Sequence, residues 1–238
     1  MVVRWLGAAG ALLAVATPAI AGPPYATDDP APTETGHWEI YSFITAEGRG
    51  GNYAGVAGLD LNYGPVPGVQ LTATVPVEFE HDAGTRATFG NLELGVKYRV
   101  LNREATGVSV AIFPRVILPT SPGGGRASFL LPVWAQKQAG PWTMFGGGGY
   151  TINPGVGNRD FAVGGAALTR TLTKGRSLGV EAFRQGPDVV GGRASTLLGI
   201  GGALPLGGPF VLTASGGPTI DDGGETRWRG YVAVALNF

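Results

Sequence analysis

The chain has 238 residues, enough for one sizeable domain, and a formal net charge of +0, so nothing in its charge points to nucleic acid. Charged residues make up only 14%, against roughly 25% in ordinary soluble domains. Cysteine is absent, which excludes disulfides, thiol catalysis and cysteine-based zinc sites, and the 42 glycines lack the three-residue period of collagen.

Residues 1–21, MVVRWLGAAGALLAVATPAIA, read as a secretory signal peptide. Arg4 gives a short basic start, Leu6 to Val15 a short apolar run, and Ala19-Ile20-Ala21 an A-x-A site, so cleavage after Ala21 is expected. A membrane anchor would need about 20 apolar residues, more than are present. Glycine and proline break every later apolar window, so a membrane role after export must use strands.

Residues 22–36, GPPYATDDPAPTETG, are rich in Pro, Thr and Asp and read as an extended periplasmic segment. They form either a loose tail or latch, or a small hatch that packs into a lumen with Tyr25 leading. The tail-or-latch reading is favoured, because Thr35-Gly36 makes a turn just before the first strand.

From His37 onward the chain is strand and turn. About twelve strands are predicted, at 37–47, 53–63, 69–80, 89–100, 106–118, 128–138, 142–152, 161–172, 177–185, 195–206, 210–217 and 227–238. In the third, Val69, Leu71, Ala73, Val75, Val77 and Phe79 form one face. Gln70, Thr72, Thr74, Pro76 and Glu78 form the other, with Glu80 just beyond. In the fourth, Leu92, Leu94, Val96, Tyr98 and Val100 alternate with Asn91, Glu93, Gly95, Lys97 and Arg99. These strands are longer than the usual five or six residues and match a tilted bilayer-spanning strand. Gly146 to Gly149, Gly164-Gly165 and Gly199 to Gly202 blur the alternation later in the chain.

Aromatic placement sharpens the reading. Tyr53 and Tyr63 share a face of one strand, and Trp228 and Phe238 share a face of the last; each pair is ten residues apart. At about 3.3 Å per residue and a tilt near 45°, the rings of a pair stand roughly 23 Å apart along the membrane normal, about the height of an outer-membrane apolar band. The expected interface girdle is Tyr53, Tyr63, Phe79, Tyr98, Trp228 and Phe238. The final stretch, YVAVALNF, keeps Val232, Val234, Leu236 and Phe238 on one face up to the last residue, and that face is expected to meet lipid. GPVPG, LNREA, AGP, TKGRS and GGP are the expected periplasmic turns. The longer EGRGGN, DAGTRAT, PTSPGGGRA, NPGVGNRD, GPDVVGGRA and TIDDGGETR are the expected outward loops.

The expectation is an all-β, monomeric, transmembrane antiparallel up-and-down barrel over 37–238, in the outer membrane of a Gram-negative cell and in contact with outer-membrane lipid. The Asp28-Asp29-Pro30 and Thr35-Gly36-His37-Trp38-Glu39 stretches, with the terminal Phe, resemble a group of Gram-negative outer-membrane barrels known as the phenol-degradation meta-pathway, or transporter-like, family. The resemblance implies passive passage of small, hydrophobic or aromatic molecules, with the cargo itself unknown. It also implies recognition by the outer-membrane assembly machinery through the C-terminal strand ending in Phe238.

The strand faces predict a lumen lined by Glu39, Asp60, Glu78, Glu80, Glu93, Lys97, Arg99, Arg115, Glu181 and Arg229. Register arithmetic brings Glu78, Glu93 and Arg115 to similar depth. They form either a charged constriction that selects what passes or an ion network that fills a narrow barrel, and the second is favoured. A structural or interaction barrel with a filled lumen is therefore the alternative function. A lipid-modifying enzyme comes third: His81, with Asp82 and Ser128, falls on the lipid side of the outer rim, but no nucleophile motif surrounds a serine. His37 falls at the periplasmic start of the first strand. Asp28-Asp29 and Asp221-Asp222 supply too few spaced oxygens for calcium and read as solvated turn acids. No cofactor, metal or reaction is expected.

Overall fold

A computed structural model describes residues 24–238; the expected signal peptide lies outside the described residues. Fourteen strands run in chain order: β1 (Trp38–Arg49), β2 (Asn52–Val66), β3 (Val69–His81), β4 (Thr85–Phe89), β5 (Leu92–Arg103), β6 (Val108–Ile112), β7 (Arg115–Leu118), β8 (Ser128–Ala139), β9 (Trp142–Ile152), β10 (Phe161–Thr171), β11 (Ser177–Gln185), β12 (Ser195–Gly207), β13 (Phe210–Asp221) and β14 (Thr226–Asn237). All pairings between them are antiparallel, and β14 returns to pair with β1. The sheet is therefore closed, with no free edge.

The fourteen strands make twelve staves. β4 and β5 are two halves of one stave, since β4 pairs with the outer part of β3 and β5 with its inner part. β6 and β7 likewise share a stave between β5 and β8. The sequence predicts each of these staves unbroken, at 89–100 and 106–118. Proline explains the interruptions. Pro114 separates β6 from β7 and has no N–H for the ladder, while its carbonyl accepts the Val96 N–H at 3.1 Å. Pro76 and Pro132 face the same breaks: their carbonyls accept the N–H groups of Gly90 at 2.9 Å and Phe113 at 3.1 Å. The predicted 210–217 strand also runs on to Asp221.

Alternation sets the two faces. Leu59, Leu71, Val77, Val96, Ile200, Val232 and Val234 are exposed on the outside of the wall, while Tyr41, Asn62, Gln70, Lys97, Trp134 and Glu181 are buried within it. An apolar outside around a polar inside reverses the soluble pattern and suits a bilayer. The seam has a further tie: Trp38 and Phe238 exchange backbone hydrogen bonds of 2.7 and 3.0 Å.

The aromatic rows fall at both ends of this apolar band. Register places Trp38 beside Tyr63 at the short-turn end, where their rings stack 4.7 Å apart, and Phe238 lies at the same end. At the loop end Tyr53 and Trp228 both flank Gly48 across the sheet, and Tyr53 meets the ring of Phe79 at 6.3 Å. Tyr98 is exposed and sits beside Val69, near the short-turn end. Trp142 and Tyr150 extend the rows on glycine-rich β9, where the alternation is hard to read from sequence.

Val232 lies near the middle of β14 on the outer face. Val232→Arg should cost about 2–4 kcal/mol, because a charge near the midplane must be desolvated or must thin the bilayer. The urea midpoint for folding into lipid vesicles should fall, whereas Val232→Ile should leave it in place.

Candidate functional site

The lumen is occupied by the chain's own N-terminal segment. This corrects the tail-or-latch expectation for residues 22–36: among the described residues, 24–34 run inside the barrel. At the short-turn end Thr35 bridges to Gly64, and the Gly36 N–H donates to the Gly64 carbonyl at 2.7 Å. The turn read from Thr35-Gly36 is therefore present, but it reverses the chain out of the lumen into β1.

Polar anchors hold the segment along its length. The Thr33 N–H and Oγ1 both donate to Gln70 Oε1, at 2.8 and 3.1 Å. Lys97 Nζ donates to Asp28 Oδ1 at 3.0 Å. The two oxygens of Glu181 accept the backbone N–H groups of Ala26 and Thr27, at 3.2 and 3.1 Å. Tyr25 Oη donates to the Gly201 carbonyl at 2.7 Å, and the Tyr25 ring meets Phe145 at 5.9 Å. Burial, and then the nearby Glu181 carboxylate, raise the Tyr25 phenol above its ordinary value, so its hydroxyl stays protonated and able to donate. Ser215 Oγ donates to the Pro24 carbonyl. Tyr25 and Thr27 are only 8% and 1% exposed.

Two glycines make the bay that receives this chain. A Cβ on Gly165 would lie 2.4 Å from Thr27 Oγ1, and one on Gly179 would lie 2.7 Å from Tyr25 Oη. The glycine that blurs the alternation of β10 thus sits where the segment packs against the wall.

Opposite the bay, β2 and β3 carry a polar ladder. Asp60 accepts from Thr74 Oγ1 at 2.8 Å and from Asn62 Nδ2 at 3.1 Å. Asn62 Oδ1 accepts from Gln70 Nε2 and Thr72 Oγ1, both at 2.7 Å. Gln70 then takes the two bonds from Thr33, so the ladder ends on the segment. Between ladder and segment lies a cavity of about 150 Å³, bounded by Tyr25, Asp28, Glu39, Tyr41, Asp60, Glu93, Lys97, Phe113 and Arg115 among others. Lys97 and Arg115 each stand over the Phe113 ring, at 4.9 and 4.7 Å from its centroid.

The predicted lumen charges divide into three groups. Glu39, Asp60, Glu93, Lys97 and Arg115 line the cavity, and Arg115 pairs with Glu93 at 3.1 Å. Glu181 holds the segment. The others lie elsewhere. Glu78 does not reach the depth of Glu93: it pairs in register with Thr88 on β4, four residues beyond Thr74, the partner of Glu93. The broken stave is the reason, because Glu93 belongs to its inner half. Glu80 pairs with Arg86 at 3.5 Å on the exposed outer rim. Arg99 donates its N–H to Gly68 at the short-turn end. Arg229 stands in register with Glu47 and Gly217, further toward the loops.

Asp28, Asp221 and Asp222 make ion pairs, and of these Asp222 stays exposed in its turn, as expected of a solvated acid. Asp28 holds Lys97, Asp221 takes a bidentate bond from Arg227 at 2.5 and 3.0 Å, and Asp222 one from Arg184 at 2.6 and 3.0 Å. Arg227 also binds Glu47 at 2.7 Å, which closes a network in the outer vestibule. Among the described residues, no group of three or more His, Asp or Glu is arranged to hold a metal. His81 bonds Thr85 Oγ1 at 2.9 Å and stacks on Tyr53 at 5.1 Å, while Ser128 pairs with Ile117 on another stave. His37 bonds the Thr35 carbonyl at 3.1 Å.

A closed twelve-stave sheet, apolar outside, ringed by aromatics and charged within, is the fold of the outer-membrane β-barrels, and it fits the transporter-like group that the sequence resembles. Among solved structures, the chain is similar to an outer membrane channel from Pseudomonas putida F1, with a TM-score of 0.70 at 13% identity, over 92% of this chain and 100% of that one. It is also similar to the translocator domain of the autotransporter NalP from Neisseria meningitidis, with a TM-score of 0.54 at 15% identity, over 86% and 90% of the two chains. No protein-family model and no curated protein matches the sequence.

Proposed function

We propose that the protein is an outer-membrane channel for the passive passage of small molecules, narrowed by its own N-terminal segment. The observation that carries this reading is the polar cavity of about 150 Å³ left between that segment and the barrel wall. A barrel sealed for structure alone has no need of charged groups facing an open space, since each costs desolvation. The P. putida channel of the same fold supports the reading. The lining favours small polar solutes through the lumen over the hydrophobic or aromatic cargo that the resemblance implies. Export by a signal peptide cleaved after Ala21, insertion by the assembly machinery through the strand ending in Phe238, and outer-membrane residence belong to the same proposal. No catalysis is part of it.

The second reading, a filled barrel whose loops do the work, draws on the same segment and on the Arg227 network. Conductance separates the two. The refolded mature protein in a planar bilayer should give small, uniform current steps. A folded barrel without steps would favour the filled lumen.

A further inference from the structure

The charges around the lumen cavity do not balance, and the N-terminal segment sets the imbalance. Four carboxylates line the cavity, those of Asp28, Glu39, Asp60 and Glu93, against two cations, Lys97 and Arg115. Each cation is committed. Lys97 is 3% exposed and takes Asp28; Arg115 takes Glu93. Among the described residues, no ion pair includes Glu39 or Asp60. The bonds to Asp60 come from the neutral Asn62 and Thr74. These two carboxylates lie on adjacent staves, Asp60 directly across from Tyr41 and Glu39 two residues before Tyr41 on β1, and face the same space.

We propose that Asp28 is a specificity determinant of the channel: by cancelling Lys97 it leaves Glu39 and Asp60 as the net charge of the cavity, which then selects small cations, protonated amines included, over anions. The inference rests on the channel reading above and adds the class of solute. A ring of one sign in a narrow, low-dielectric passage attracts the opposite charge and repels its own. Asp28 is the one lining charge that the segment supplies to the cavity, and its partner is the most deeply buried of the cavity's cations. Without Asp28, Lys97 would lose its ion-pair partner and remain over Phe113 at the cavity.

The test is the reversal potential in a KCl gradient at pH 8, for the mature protein and three variants. The unmodified channel should prefer potassium over chloride. Asp28→Asn keeps an acceptor for Lys97 but removes the charge, and the preference should fall severalfold. Adding Lys97→Met to Asp28→Asn should restore it, which a merely structural role for Asp28 would not do. Glu39→Gln with Asp60→Asn should abolish it. Steady current with the same reversal potential in all four proteins would overturn the filter and leave the channel standing. No current from any folded variant would remove the channel and the filter together.

Discussion

Removing residues 24–33 should raise the single-channel conductance severalfold while the barrel still folds. The segment fills the space between the bay on β10–β13 and the ladder on β2–β3, and the cavity between segment and ladder is about 150 Å³. Its loss also strips Lys97 of Asp28 and Glu181 of its two N–H donors. Breaking a buried pair costs about 3–5 kcal/mol when the surviving charge stays dry. Here water enters the vacated lumen and solvates both groups, so the cost falls well below that range. Asp28→Leu is the contrasting case, because the segment remains and Lys97 stays buried without its partner; that variant should lose more stability than the deletion. Current steps read the first effect, and urea midpoints in lipid vesicles read the second. Steps of equal size with and without the segment would mean that it does not limit the path.

Gly165→Val should loosen the segment's seat without opening the wall. The valine Cβ would stand 2.4 Å from Thr27 Oγ1, 2.8 Å from the Phe183 ring and 2.9 Å from the Ala182 carbonyl. Two of those neighbours belong to the barrel and are held by backbone pairing with β10. The segment has no strand ladder and is the part that can yield. Its anchors on this side are the two bonds to Glu181, each charge-assisted and worth about 1.5–3 kcal/mol, with the Tyr25 hydroxyl on the Gly201 carbonyl and the Ser215 hydroxyl on the Pro24 carbonyl. Overpacking costs typically 1–3 kcal/mol, more when backbone is struck, so the bound segment is weakened by that much and opens more often. Cysteine is absent from the chain, so a Thr27→Cys reporter is unique. Its labelling by a small water-soluble thiol reagent should rise by about a hundredfold in the Gly165→Val background, the factor that some 2.7 kcal/mol represents. Gly164→Val, on the outward face of the same strand, should leave the labelling rate unchanged.

The barrel was legible because its physics is periodic. Alternation, long strands and paired rings at ten-residue spacing follow from a tilted strand in a bilayer, and they survive in β3, β5 and β14. The divided staves were less legible. Pro114 marks the break between β6 and β7, but Pro76 and Pro132 sit inside β3 and β8 without ending them, so proline alone does not say which stave divides. The depth of Glu78 failed for that reason, since register arithmetic assumed an unbroken partner. The N-terminal segment was the least legible part. Residues 24–34 bring only one large apolar side chain, Tyr25, and are held largely through backbone N–H groups and carbonyls, which carry no sequence signature. The signal that existed lay elsewhere. Glycine at 165, 179 and 201 gives one arc of the wall a bay, and Glu181 stands inside it without an ion pair among the described residues. A carboxylate beside a glycine-lined hollow needs donors from somewhere, and backbone amides of the chain's own start are what reach it.

The N-terminal segment sits in the lumen and thereby governs passage. Labelling of Thr27→Cys in the otherwise unmodified mature protein, folded in lipid vesicles, tests it most directly. Thr27→Cys should be protected in the absence of denaturant, with release in urea at the midpoint of the whole barrel or below it. Labelling at the rate of an unstructured peptide thiol, in a barrel shown to be folded, would contradict it.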